Sequence, residues 1–250
     1  MEKTIKNTGI GPLEERLLSI LEYKKTQIIR REELIKLIRE YVGAKDITDL
    51  IARLQRKKRL VSIQKGVYAV IPISSINKVP QLSDMEVVAY LIKDNYYFGL
   101  YNAFNLHGFT EQIPNRLFVY NTKYSGDKKL LGFNIKFFKL KKDKIFGIFM
   151  TKYPYSDKER TIIDVLENYH YVAPLQEILD KIKESKYDKQ KLVEYSIVYG
   201  SIKVMKLVGL ITNNPKLYQL LYKKGTLKYY TSLKKTGIKL LNKKWKVRLI

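Results

Sequence analysis

The chain has 250 residues, enough for two domains or one large one, and its 45% hydrophobic content excludes a disordered polypeptide. The absence of cysteine excludes disulfides, thiolate nucleophiles and thiolate zinc sites, and suits a cytoplasmic protein. The formal net charge of +24 is uneven: 16 Lys+Arg stand against 9 Asp+Glu in residues 1–72, 19 against 15 in residues 73–194, and the last 56 positions carry 13 basic residues and no acid. That clustering favours a polyanionic partner over a merely lysine-rich soluble surface, because each neutralised phosphate releases counterions. No run approaches the ~18 apolar residues of a membrane span, and the opening MEKTIKNTGIGP lacks the apolar core of a signal peptide. The expectation is a cytoplasmic protein with no membrane association.

In chain order, Leu13, Leu17, Leu18 and Leu21 give a first helix its apolar stripe, with Pro12 suited to the opening turn. Leu34, Leu37, Ile38 and Tyr41 do the same for a second. Residues 47–72, ITDLIARLQRKKRLVSIQKGVYAVIP, place Ile47, Leu50, Ile51 and Leu54 at i, i+3, i+4 and i+7 of a third helix. Val61 and Ile63 then alternate, Lys65-Gly66 turns, and Val67 to Ile71 return as a strand. Three helices and a two-stranded wing make residues 1–72 a winged helix-turn-helix domain. Used as a recognition helix, the third presents Thr48, Asp49, Ala52, Arg53 and Arg56 to a major groove. Arg53 suits bidentate contact with guanine, whereas Arg56, Lys57 and the wing's Lys65 suit phosphates. Arg30 and Arg31, opening the second helix, and Lys45, ahead of the third, complete the candidate DNA-binding set. Winged helices also dock proteins, and RKKR at 56–59 also fits a solvated helix end.

Residues 73–82, rich in proline and serine, read as a linker. The remainder, 83–250, predicts a helix from Ser83 or Asp84 to residue 93 and a second over 98–106, stopped by Gly108. Strands follow at 117–121, 133–140 and 145–151, the last two joined as a hairpin by 141–144. A helix opens at Ser156 or Asp157 and runs to 168, and Leu175, Ile178, Leu179 and Ile182 support another. A long helical region spans 189–211, a helix over 217–223 is broken by Gly225, and 227–233 and 246–250 look strand-like. The fold class expected is α+β, a winged helix-turn-helix domain plus a larger mixed α+β domain.

Material for catalysis is sparse. His107 and His170 are far apart, with His107 at an expected helix end. Asp157, Glu159 and Asp164 near Arg160 supply the carboxylates that a magnesium-dependent nuclease needs. They also read as first-turn acids on a helix dipole, with Arg160 and Asp164 an i, i+4 pair. No GxxxxGK[ST] or GxGxxG loop is present. The expectation is no catalytic residue, no metal and no cofactor.

Four segments together resemble one family. Residues 96–114, YYFGLYNAFNLHGFTEQIP, look like the core stretch of AbiEi-type antitoxins of bacterial and archaeal abortive-infection systems. KGVYAVIP at 65–72 is similar to that family's wing and exit, ERTIIDVLENY at 159–169 to its ERT-x-x-D helix, and NKKWKVRLI at 242–250, with Trp245, to its closing strand. The resemblance spans nearly the whole chain in order. It implies a two-domain transcriptional autoregulator: the winged helix binds double-stranded operator DNA, in inverted repeats, and the second domain opposes a nucleotidyltransferase-like cognate toxin, AbiEii, indirectly. It carries over Lys65, Gly66 and Tyr68 as wing positions and Arg160, Thr161 and Asp164 as a second-domain motif of unassigned role. A stand-alone winged-helix regulator without a toxin, or a metal-dependent nuclease, are the alternatives. The acid-free tail, with Lys203, Lys206, Lys223, Lys224, Lys228, Lys234, Lys235, Lys243 and Lys244, reads either as a second basic surface for nucleic acid or as a soluble lysine-rich one.

Overall fold

The computed structural model describes residues 9–75, 79–233 and 241–249. It is a mixed α+β protein with ten α-helices and three sheets among those residues. Two units part between Leu91 and Ile92, residues 129–133 being grouped with the first.

The first unit runs α1 (Pro12–Tyr23), β1 (Ile28–Arg30), α2 (Arg31–Leu37), α3 (Ile47–Arg56), β2 (Leu60–Gln64), β3 (Val67–Val70) and α4 (Asp84–Ile92). Its sheet is antiparallel in the order β1-β3-β2, and β2 and β3 form a hairpin across Lys65-Gly66. This is the winged-helix arrangement with three strands rather than the two expected. β1 has only three residues, too few to show a period, and is fixed by pairing Ile29 with Tyr68. Leu17, Leu18, Leu21, Leu34, Ile38, Leu50 and Leu54 are fully buried together, each such side chain contributing about 1.5–3 kcal/mol.

Two expected core positions face water. Leu13 is exposed and Glu14 is buried in its place. Tyr41 is exposed because the chain widens after α2 into a π turn, Ile38–Val42, in which the Gly43 N–H donates to the Ile38 carbonyl at 3.0 Å. α4 is capped by Ser83, whose Oγ accepts the Glu86 N–H at 3.2 Å while the Ser83 N–H donates to the Glu86 carboxylate at 2.9 Å. The Tyr90 hydroxyl donates to Glu33 at 3.3 Å and the Arg30 guanidinium lies 5.6 Å from the Tyr90 ring. These contacts group α4 with the first unit, so the division falls beyond the expected linker, of which residues 76–78 lie outside the described residues.

β4 (Tyr96–Phe98), β5 (Leu117–Asn121), β6 (Gly126–Leu130), β7 (Phe133–Lys139), β8 (Ile148–Met150) and β9 (Pro154–Ser156) form a mixed sheet in the order β6-β7-β5-β4-β9-β8. β5 lies parallel to β7, and β4 antiparallel to β5 and parallel to β9. The hairpin expected across 141–144 is absent: Lys142–Lys144 is a 3₁₀ turn and β8 pairs with β9 instead. The carbonyl of Lys144 accepts from Arg160, its ammonium donates to the Val198 carbonyl, and Gly147 (φ +66°) turns the chain away from β7. The helix expected over 98–106 is a strand and then α5 (Leu100–Leu106), separated at Gly99, where a Cβ would strike the rings of Tyr97 and Tyr120.

α6 (Lys158–Glu167), α7 (Leu175–Glu184), α8 (Lys189–Tyr199), α9 (Ile202–Thr212) and α10 (Pro215–Lys223) follow. α6 packs against α5, α8 and α9, and every residue from Glu159 to Leu166 is buried. The long helix expected over 189–211 breaks at Gly200 (φ +79°), after which Ser201 caps α9. β10 (Thr231–Leu233), β11 (Leu241–Asn242) and β12 (Val247–Leu249) make the third sheet. Buried Trp245 seats edge-on to Tyr218 at 5.5 Å and against Gly209 of α9, where any side chain would collide with its ring. Among the described residues no helix is long and apolar enough to cross a membrane.

Candidate nucleic-acid interface

α3 starts at Asp46, whose carboxylate accepts the Asp49 N–H at 2.9 Å and so satisfies one of the orphan donors of the first turn. Leu50, Ile51 and Leu54 bury one face, leaving Thr48 and Asp49 exposed in the first turn and Arg56 in the last, its side chain 72% exposed. Glu14 decides where the other cations go. Only 3% exposed, it accepts from the Gly11 N–H at 2.7 Å, pairs with the Lys57 ammonium, and lies 3.5 Å from the Arg53 guanidinium. Burial pushes its carboxyl up, but the hydrogen bonds from Lys57 and Gly11 and the charges of Lys57 and Arg53 outweigh this and hold it below its ordinary value.

Arg53 and Lys57, expected to meet base and phosphate, therefore tie α3 to α1. Arg53 also reaches Asp49 at 3.4 Å and keeps 39% of its side chain in water, whereas Lys57 donates in addition to the Gly9 carbonyl at 2.7 Å. Arg30 is half-buried beside Tyr90. Arg31, Lys45, Thr48, Asp49, Arg56 and Lys65 remain exposed. The Arg31 N–H donates to the Gly66 carbonyl at 2.8 Å, which fixes the tip of the wing to the start of α2. Gly66 holds φ +75°, a conformation that costs a residue with a Cβ. Arg59, the last of the RKKR run, is buried and donates to the carbonyls of Pro72 and Ser75. The Gly11-x-x-Glu14 spacing of a capping box was the signal available for Glu14; nothing local marks Arg59 as buried.

In the second unit, Arg160, Thr161 and Asp164 lie within the core rather than at a surface. Asp157 caps α6 through the Arg160 N–H at 2.8 Å. The Arg160 guanidinium donates to Asp164 Oδ1 at 3.0 Å, to the Lys144 carbonyl at 2.9 Å and to the Tyr97 hydroxyl at 2.6 Å. It also packs against the rings of Phe146 (4.6 Å), Tyr199 (4.9 Å) and Tyr97 (5.3 Å). Tyr97 donates to the same Asp164 oxygen at 3.2 Å and stacks on Tyr120 at 5.0 Å. Complete burial raises the Asp164 carboxyl to about 6 against the opposing pull of Arg160 and Tyr97. Thr161 and Ser156 share a hydrogen bond of 2.8 Å, and His107 Nε2 meets the Ser156 carbonyl at 2.8 Å. This network joins β4, α5, α6 and the 144–147 turn.

The three carboxylates weighed for a nuclease do not converge. Asp157 and Glu159 grip one ammonium, Lys191, at 3.1 and 3.0 Å, whereas Asp164 is enclosed with Arg160. No cluster of acids and histidines suited to a metal occurs among the described residues. In the acid-free tail, Lys203 pairs with Glu167 at 3.3 Å and keeps 26% of its side chain in water, whereas buried Lys206 donates to the Tyr229 carbonyl at 2.7 Å and serves the fold. Lys223, Lys224, Lys228, Lys243 and Lys244 are exposed, while Lys234 and Lys235 lie outside the described residues.

The fold and these surfaces define a mixed α+β protein with a winged-helix unit at its N-terminal end. No protein-family model matches the chain, and no curated protein matches it. Among solved structures it is similar to the crystal structure of the RV2827C protein from Mycobacterium tuberculosis, with a TM-score of 0.69 and 14% identity, over 96% of this chain and 92% of that one. At that identity the likeness establishes the fold alone.

Proposed function

We propose that the chain is a DNA-binding transcriptional autoregulator whose first unit reads duplex operator DNA. The observation that carries this reading is the exposed polar edge of α3, Thr48, Asp49 and Arg56, on a helix anchored from behind by Glu14, together with exposed Lys45, Arg31 and Lys65 around it. A helix held rigid on its apolar side and polar on the other suits insertion into a major groove, and cations at its flanks suit the phosphates on either side. Arg56 takes the leading role that the sequence assigned to Arg53, because Arg53 is drawn to buried Glu14, whereas Arg56 meets surface Asp49 at 3.7 Å and keeps 72% of its side chain in water.

The ordered resemblance to AbiEi-type antitoxins supports the second half of the proposal: the larger unit opposes a nucleotidyltransferase-like toxin encoded beside it. In this reading Arg160, Thr161 and Asp164 shape the unit that does so rather than touch the toxin. A mobility shift with the DNA upstream of the gene against scrambled DNA, at two salt concentrations with and without magnesium, tests the regulator. Binding that is specific, salt-sensitive and metal-independent is expected. Equal affinity for both DNAs, or cleavage dependent on magnesium, would overturn it.

A further inference from the structure

Between α6 and α7 the chain makes a 3₁₀ turn, Tyr169–Tyr171, whose His170 and Tyr171 line two clefts at once. One open cleft, of about 790 Å³, is also lined by Lys203 and Ser232; the other, of about 650 Å³, by Tyr101 and Arg116. Each is of a size that takes a nucleotide-sized ligand. The rings of His170 and Tyr171 lie 4.2 Å apart, and Tyr171 is braced from behind by Phe118 at 5.9 Å and Phe138 at 5.6 Å. Cations rim the pair. The Lys136 ammonium is 5.3 Å from the Tyr171 ring, Arg116 and Lys136 share Asp127 at 2.8 and 3.0 Å, and Lys203 is held by Glu167.

We infer that this aromatic turn is a binding site for single-stranded nucleic acid. A base stacks on the exposed ring of His170, which Tyr171 backs at 4.2 Å, and the strand runs from one cleft to the other with its phosphates reaching Arg116 and Lys136 on one side and Lys203 on the other. Braced rings with cations beside them are what a sequence-tolerant single-strand site needs, since every base presents a π-face and every linkage a charge. A duplex is poorly matched, because its bases are already stacked on one another. The cations are each neutralised by Asp127 or Glu167, so stacking, more than net charge, carries the affinity. This site lies wholly in the second unit and does not depend on the operator reading.

The test uses the full chain and labelled oligonucleotides of roughly eight nucleotides, as oligo-U, oligo-dT and an abasic strand with the same phosphates, at about 0.15 M salt. Fluorescence anisotropy is expected to show the strands with bases binding about tenfold more tightly than the abasic strand, the gain that a stacked base supplies. Oligo-U and oligo-dT differ in both the sugar and the base methyl, and a preference for either supports the site. Tyr171→Leu, which keeps the contacts with Phe118 and Phe138, combined with His170→Ala is expected to bring binding of the bases down to the abasic level. If the double variant does not fold, exposed His170→Ala alone is expected to lower it severalfold, with binding of the upstream duplex as the control. Equal affinity for abasic and base-bearing strands, or unchanged affinity in a folded variant, would overturn the inference.

Discussion

Arg160 and Asp164 make a buried ion pair with one oxygen, Asp164 Oδ2, left without a hydrogen bond in the described structure. Removing two charges from water is costly, and Arg160 offsets that cost by donating from three nitrogens and packing among three rings. The sign of the pH dependence follows from the raised carboxyl. Between 3.8 and about 6 the folded chain keeps a proton that the unfolded chain has lost. The stability Asp164 contributes is therefore largest below pH 3.8 and declines as the pH rises to about 6. Asp164→Asn removes this component, so across that interval the urea midpoint is expected to fall more steeply with pH in the wild type than in the variant. Parallel profiles would show that Asp164 does not titrate there.

At the scale of the element, α3 is positioned from behind by a single buried acid. Glu14→Gln leaves Lys57 without its anion and Arg53 with Asp49 alone, and is expected to cost about 1–3 kcal/mol in urea unfolding. The Glu14 carboxyl sits below its ordinary value of 4.5, so its contribution is present above that pH and is lost as the pH falls through the folded value. Variant and wild type should therefore converge in acid; a difference that persists there would argue against the pairing. The apolar stripes of α3 and α7, the Lys65-Gly66 turn and the bounds of α6 were legible because each rests on local spacing or a local cap. β1 was not, because three residues show no period and Tyr68 across the sheet defines it. Likewise Gly200 lies in a helical pattern that runs on past it, and only its left-handed φ separates α8 from α9. For the candidate interface, residue types were legible and commitments were not: Arg53 and Lys57 face Glu14, which lies about forty residues away in sequence and was concealed by a leucine stripe that put Leu13 inside.

At the scale of the molecule, the charge of +24 alone favours any polyanion. The proposed function is narrower: duplex DNA is held by the outward cations of the first unit and not by those that hold the fold together. The slope of log Kd against log salt, measured on the upstream DNA, tests this most directly. Each lost phosphate contact lowers the magnitude of the slope by about 0.9. The double variant Lys45→Ala, Lys65→Ala is therefore predicted to bind more weakly with a slope shallower by nearly two, at unchanged stability. A slope equal to that of the wild type would contradict the account and move the DNA to another face of the protein.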